Sequence, residues 1–161
     1  MNYGFIRVAA VVPTVNVADC EANVDHIIKN IHEAYKRKAQ LIVFPELSIT
    51  GYTCGDLFKQ TTLIKSAFEG LERISSATLG LNALVVVGLP IVFEGRMFNC
   101  AVAIFNGEIV GVVPKTYIPN YHEFYEKRWF TSSYNLRKNA TINIDGKEVP
   151  FGCDLLFTMG D

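Results

Sequence analysis

The sequence lacks any apolar run long enough to cross a membrane. Its longest, Ala83 to Phe93, is interrupted by Gly88 and Pro90 and falls well short of the roughly 20 residues a spanning helix needs, so it reads as a buried strand. Residues Met1 to Ala10 lack the basic start, long apolar stretch and small-residue cleavage site of a secretory signal, which makes the cytoplasm the expected location. An excess of one charge is also missing. Fifteen Lys and Arg balance sixteen Asp and Glu, and no basic cluster sits between aromatics, so neither nucleic acid nor a membrane surface is an expected partner. A small polar substrate fits better. Cysteine is sparse: Cys20, Cys54, Cys100 and Cys153 stand singly, without the close pairing that closes a zinc site or the density of a secreted scaffold. They are expected as reduced thiols. His26 and His32, six residues apart, would not share a helix face, so no metal site is expected. No glycine-rich phosphate loop is visible, and no cofactor is expected in this domain.

What the chain has in quantity is apolar surface. Half of its 161 residues are hydrophobic and only 19% are charged, the composition of one domain that buries both faces of a sheet or lacks a partner. Phe5 to Pro13 reads as a strand. From Asp19 to Lys38 the residues Val24, Ile27, Ile28, Ile31 and Tyr35 recur at three and four, the stripe of an amphipathic helix, with acids at its start and bases at its end. Leu41 to Phe44 is a second strand, so the unit is β-α-β and its strands should run parallel. A second helix is expected from about Thr61 to Leu79, with Gly80 just past its end, and leads into a strand over Ala83 to Val87. Beyond it, Asn106-Gly107 between two strand-like runs predicts an antiparallel hairpin over Phe98 to Val113, because type I′ turns require positive φ at both positions. A further hairpin is expected at Asp145-Gly146.

Two charged residues stand where strands hand over to loops. Glu46 follows the strand Leu41 to Phe44 through Pro45, and Lys115 follows Glu108 to Val113 through Pro114. Ligands of open α/β sheets bind at the carboxyl ends of strands. Taken singly, an acid there commonly caps a loop and a lysine is commonly solvated. Together, a carboxylate can take a proton from a nucleophile while an ammonium group stabilises the charge that develops on a carbonyl oxygen.

The stretches around these residues resemble a known family. FPELSITGY (Phe44 to Tyr52) and PKTYIPNYHEFYEKRWF (Pro114 to Phe130) are similar to two signatures of the carbon-nitrogen hydrolase, or nitrilase, superfamily. Together with TGYTCGDLF (Thr50 to Phe58) and VPFGCDLLF (Val149 to Phe157), they resemble the N-terminal glutaminase domains of glutamine-dependent NAD+ synthetases within it. The resemblance implies an α/β fold, a partial α-β-β-α sandwich, with residues 1–161 as the first part of a glutaminase domain. By motif position it makes Glu46 the general base, Lys115 the support of the tetrahedral intermediate and Glu123 an auxiliary glutamate, with Tyr52 and Tyr121 lining a glutamine pocket. The implied reaction is glutamine hydrolysis by a cysteine thiolate, with the ammonia passed to an ATP- and Mg-dependent synthetase domain outside these residues that converts nicotinic acid adenine dinucleotide to NAD+. A homo-oligomer is also implied.

The family's third signature, a strand carrying a Cys-Glu-Asp-type motif, is expected beyond Asp161. Cys153 lies upstream of that strand, in a segment whose matching position is not catalytic, and nothing in the family pattern makes Cys54 catalytic. On this reading the 161 residues alone would be inactive. They would also associate through an exposed sheet edge and an apolar face built from residues such as Val85, Val87, Ile104 and Leu156. Two alternatives stay open: another amidase or nitrilase of the same superfamily, and a non-catalytic assembly domain.

Overall fold

The computed structural model describes residues 4–158. They form one seven-stranded sheet in the order β1-β2-β3-β4-β5-β7-β6, with two long helices. The strands are β1 (Val8–Ala10), β2 (Leu41–Val43), β3 (Leu84–Phe93), β4 (Arg96–Phe105), β5 (Glu108–Pro114), β6 (Ala140–Ile144) and β7 (Lys147–Phe151). The helices are α1 (Cys20–Lys36) and α2 (Thr61–Ala77). This is the mixed α/β sheet expected. An α layer and a β layer of the four-layer sandwich are present in the described residues.

The helices form where the apolar period predicts them. Asp19 caps α1 by accepting a hydrogen bond from the Ala22 amide at 3.1 Å. Val24, Ile27 and Ile31 are fully buried, each contributing about 1.5–3 kcal/mol of hydrophobic stabilisation. They share one core with Leu71 and Ile74 of α2 and with Ile42, Val85, Val87, Val102 and Ile104 of the sheet. No helix among the described residues is long and apolar enough to cross a membrane.

β1, β2 and β3 run parallel, as the β-α-β reading requires. β4 and β5 form the expected hairpin, closing at Asn106 and Gly107 with φ of 49° and 80°. The second hairpin closes at Asp145 and Gly146. The run Ala83 to Phe93 is one buried strand, as its apolar composition suggested, and only the shorter bound near Val87 from the β-α-β reading is exceeded. β3 continues through Gly88 and Pro90 to Phe93 and returns through Glu94-Gly95 as a third hairpin. Proline is tolerated because Val86 and Gly88 turn their carbonyls away from β4, accepting from Phe44 and Ile49 at 2.9 and 3.1 Å. Pro90 shares their parity, so its missing N–H falls outside the β3–β4 ladder.

The same period of two corrects the expected apolar face. Val85, Val87 and Ile104 are fully buried beneath the helices, and of the residues named only Leu156 is exposed. The sheet face turned away from the helices carries their neighbours instead. Leu84, Val86, Ala101 and Val113 are half-buried there, and Phe157 packs over Gly111 on the segment following β7. A shift of one residue exchanges the faces of a strand.

Candidate active site

β5 is antiparallel to β4, which is antiparallel to β3, so β2 and β5 point the same way and deliver Glu46 and Lys115 to one end of the sheet. Lys115 Nζ donates to Glu46 Oε2 at 2.8 Å. It also donates to Glu126 Oε1 and Oε2 at 3.1 and 3.2 Å. The ammonium group therefore sits between two carboxylates of different character, Glu46 exposed and Glu126 buried. Asn99 of β4 donates its side-chain amide to Glu46 Oε2 at 2.9 Å, and the Tyr52 hydroxyl donates to Glu126 Oε1 at 2.6 Å.

Burial alone would lower the Lys115 pKa, but hydrogen bonds and charge from the two glutamates more than offset it, and the ammonium is held above its ordinary value. Tyr52 is raised as well, by desolvation first and then by its hydrogen bond to Glu126, so it stays a hydroxyl donor at neutral pH.

The loop that carries Glu46 is fixed by close packing. A Cβ on Gly88 would lie 2.4 Å from the Leu47 amide nitrogen and 2.5 Å from the Pro45 carbonyl oxygen, so only glycine lets this backbone pass over β3. Leu47 itself takes φ of 51°, a left-handed conformation uncommon for a branched side chain. Ile49 N bonds Gly88 O, and Asn23 of α1 donates to the carbonyls of Asn16 and Ile49, binding the loops after β1 and β2 to each other. Lys115 is held by its own backbone, its amide on Asn99 O and its carbonyl on Ser133 N.

Beside Glu46 and Lys115 lies a cavity of about 460 Å³ whose floor includes Val43, Val86, Ala101 and Val113, with Cys153 at its edge. It opens on the sheet face turned away from the helices. Its apolar floor and charged rim suit a ligand with one reactive polar end.

Tyr52 and Tyr121 are placed differently. Tyr52 joins the charged group through Glu126, whereas Tyr121 packs edge-on to Phe124 and lines an adjoining groove that also includes Lys115, Thr116 and Tyr117. Glu123 is a correction. It is exposed and lines a small pocket with Tyr52 and Trp129, and Glu126 takes the place beside Lys115. Both glutamates lie in the same HEFYEKR stretch three residues apart. A 3-10 turn over Glu126–Arg128 decides between them, and spacing along the sequence could not. Asn99, also missed, had a signal: a lone amide inside the apolar run Phe98 to Ala103, and buried amides need partners.

A family model described as carbon-nitrogen hydrolase matches residues 7–155. The chain belongs to the carbon-nitrogen hydrolase family. Among curated proteins it is 37% identical over 160 residues to a glutamine-dependent NAD(+) synthetase of Mycobacterium tuberculosis, an alignment covering 99% of this chain and 23% of the relative. The human protein of the same name is 29% identical over 87% of this chain and 21% of its own length. This carbon-nitrogen hydrolase chain thus spans about a quarter of the length of the curated relatives it matches. Among solved structures, a glutamine-dependent NAD(+) synthetase from Cytophaga hutchinsonii superposes with a TM-score of 0.88 at 31% identity, over 96% of this chain and 26% of that one. An amidase from Nesterenkonia superposes at a TM-score of 0.67 and 21% identity over 89% of this chain and 53% of that one, sharing the fold.

Proposed function

We propose that this chain serves glutamine hydrolysis in an enzyme that makes NAD+, releasing ammonia for an ATP- and Mg-dependent amidation carried out by a synthetase domain. The observation that carries the reading is the Lys115 ammonium held between Glu46 and Glu126 at a cavity on the carboxyl end of the sheet, in a chain whose relatives are named as glutamine-dependent NAD(+) synthetases.

In this reading the exposed Glu46 is the general base. It takes the proton of a cysteine thiol, the sulfur bonds to the side-chain carbonyl carbon of glutamine, and Lys115 stabilises the oxyanion. Glu46 then gives the proton to the departing nitrogen. The C–N bond breaks, ammonia leaves and a thioester remains for water to hydrolyse to glutamate. Glu126, itself held by Tyr52, keeps Lys115 in place and, with Glu46, protonated. Tyr121 lines the approach, and Glu123, outside the charged group, has no role in the chemistry. No cofactor is needed for this half-reaction, and the setting is cytoplasmic.

The test is to supply the complete gene product with nicotinic acid adenine dinucleotide, ATP, Mg2+ and either glutamine or free ammonia. Glutamate and NAD+ should form together from glutamine, and Glu46→Gln should stop the use of glutamine while leaving the use of ammonia. Preference for another amide, with no NAD+ formed, would assign the chain to a different branch of the family.

A further inference from the structure

Glu126 depends on a turn whose outer anchor lies away from the cavity. That turn, Glu126–Arg128, has only three residues, with the Glu126 amide donating to Pro119 O at 3.2 Å and its carbonyl accepting from Phe130 N at 2.8 Å. Two residues past Glu126, Arg128 Nε and Nη2 donate to Asp56 Oδ1 and Oδ2 at 2.8 and 2.7 Å, a bidentate pair. Trp129 Nε1 donates to the same Asp56 Oδ1 at 3.0 Å. One carboxylate thus grips two consecutive side chains. Its own segment, the 3-10 helix Gly55–Lys59, supplies Phe58, whose ring meets Trp129 and Phe130 at 5.9 and 5.0 Å between centroids. The loop that leads into this helix carries Tyr52, the hydroxyl donor to Glu126. The two segments that meet at Glu126 are therefore tied together a second time at Asp56.

Folding stability accounts for only part of this arrangement, a bidentate Arg–carboxylate pair being the stronger kind of surface ion pair. The side chains of Asp56 and Arg128 are 59% and 53% exposed, and ion pairs that open to water contribute little to folding. We propose that Asp56 is a positioning residue, whose carboxylate, by holding Arg128 and Trp129, sets where the Glu126 carboxylate stands against Lys115. Asp56 touches neither the cavity nor the reacting atoms and acts only through the turn. Only its kinetic consequence rests on the proposed amide hydrolysis.

The test follows the Lys115 side chain by carbon-13 NMR of its ε-carbon, assigned with Lys115→Arg, in the wild-type chain and in Asp56→Ala. Glu46 and Glu126 are the charged groups that face this ammonium. Displacement of Glu126 should lower the Lys115 midpoint by about half a pH unit or more, with Asp56→Glu recovering part of the change. The melting temperature should move by no more than about 2 °C. In the complete gene product, kcat for glutamine should fall about tenfold with KM within about twofold, since an interaction made in the transition state is weakened. If Asp56→Ala folds poorly, Asp56→Asn keeps the shape, loses the charge and should show the same downward shift. An unchanged Lys115 midpoint in the folded variants overturns the proposal, as does an activity loss matched by an equal loss of folded protein. A wild-type enzyme inactive on glutamine would defeat the functional reading instead, with the Lys115 midpoint still deciding the role of Asp56.

Discussion

Lys115 Nζ and Glu46 Oε2 lie 2.8 Å apart although 69 residues separate them in sequence. Each is the first charged residue after a strand, and each directly follows a proline, Pro45 or Pro114. Because β2 and β5 point the same way, the topology alone brings the residues following them to a shared edge. If this contact carries the chemistry, Lys115→Ala in the complete gene product should lower kcat/KM for glutamine by at least about a hundredfold. NAD+ formation from free ammonia should stay within about twofold of wild type. Equal loss with both nitrogen donors would instead indicate a folding defect.

The partnership of Lys115 with Glu126 predicts a stability effect of its own. Glu126 is 3% exposed, and removing its cation leaves a buried charge with the Tyr52 hydroxyl as its remaining side-chain donor. Lys115→Met should therefore destabilise the chain by about 3 kcal/mol. Adding Glu126→Gln removes the charge and should restore about half of that loss. A double-mutant cycle from urea denaturation measures the coupling, and additive single effects would show that the two groups are independent.

Gly88 is the backbone counterpart of this site. With the Pro45–Leu47 chain lying on it, Gly88→Ala forces the Glu46 loop outward and should cost about 2–3 kcal/mol. The hydrogen bond from Ile49 N to Gly88 O should also break. Amide exchange at Ile49 should then accelerate, while exchange at Val102 on the far side of β3 stays slow.

Much of the fold was legible because it rests on local rules. The stripe Val24, Ile27, Ile31 gave α1, and Asn106-Gly107 and Asp145-Gly146 gave two hairpins, each from side chains that act on their immediate neighbours. The misses have a different origin. The passage of β3 through Pro90 depends on an edge left free where β2 ends, which is a property of the sheet and not of the strand. The place of Glu126, rather than Glu123, beside Lys115 rests on a turn and on partners remote in sequence, among them Tyr52, 74 residues away. Glu46 and Lys115 were legible from their shared place after strands, whereas Asn99, inside a strand, was visible only as one polar residue among apolar ones.

The buried thiols give a final expectation, in alkaline solution. Cys20 is buried in the core, and desolvation, with added repulsion from Cys54 and Asp19, pushes its pKa from 9.0 up to about 11. Burial raises Cys54 and Cys100 as well. In each case the folded pKa lies above the unfolded one, so the stabilisation is fully present below about pH 9, where both states are protonated. As pH rises above that value the unfolded chain ionises first, and the folded state loses ground until its own thiol titrates. Lys115, also raised in the folded state, adds a loss of the same sign above its ordinary pKa of 10.5. From Cys20 alone the two-unit difference corresponds to roughly 2–3 kcal/mol between pH 9 and 11. Urea midpoints should therefore hold steady from pH 7 to 8.5 and fall steeply by pH 10.5. Cys20→Ala, stability-matched at pH 7, should show a shallower fall over the same interval. An equally steep fall in that variant would place the alkaline sensitivity in the other thiols, in Tyr52 or in Lys115, all raised in the folded state.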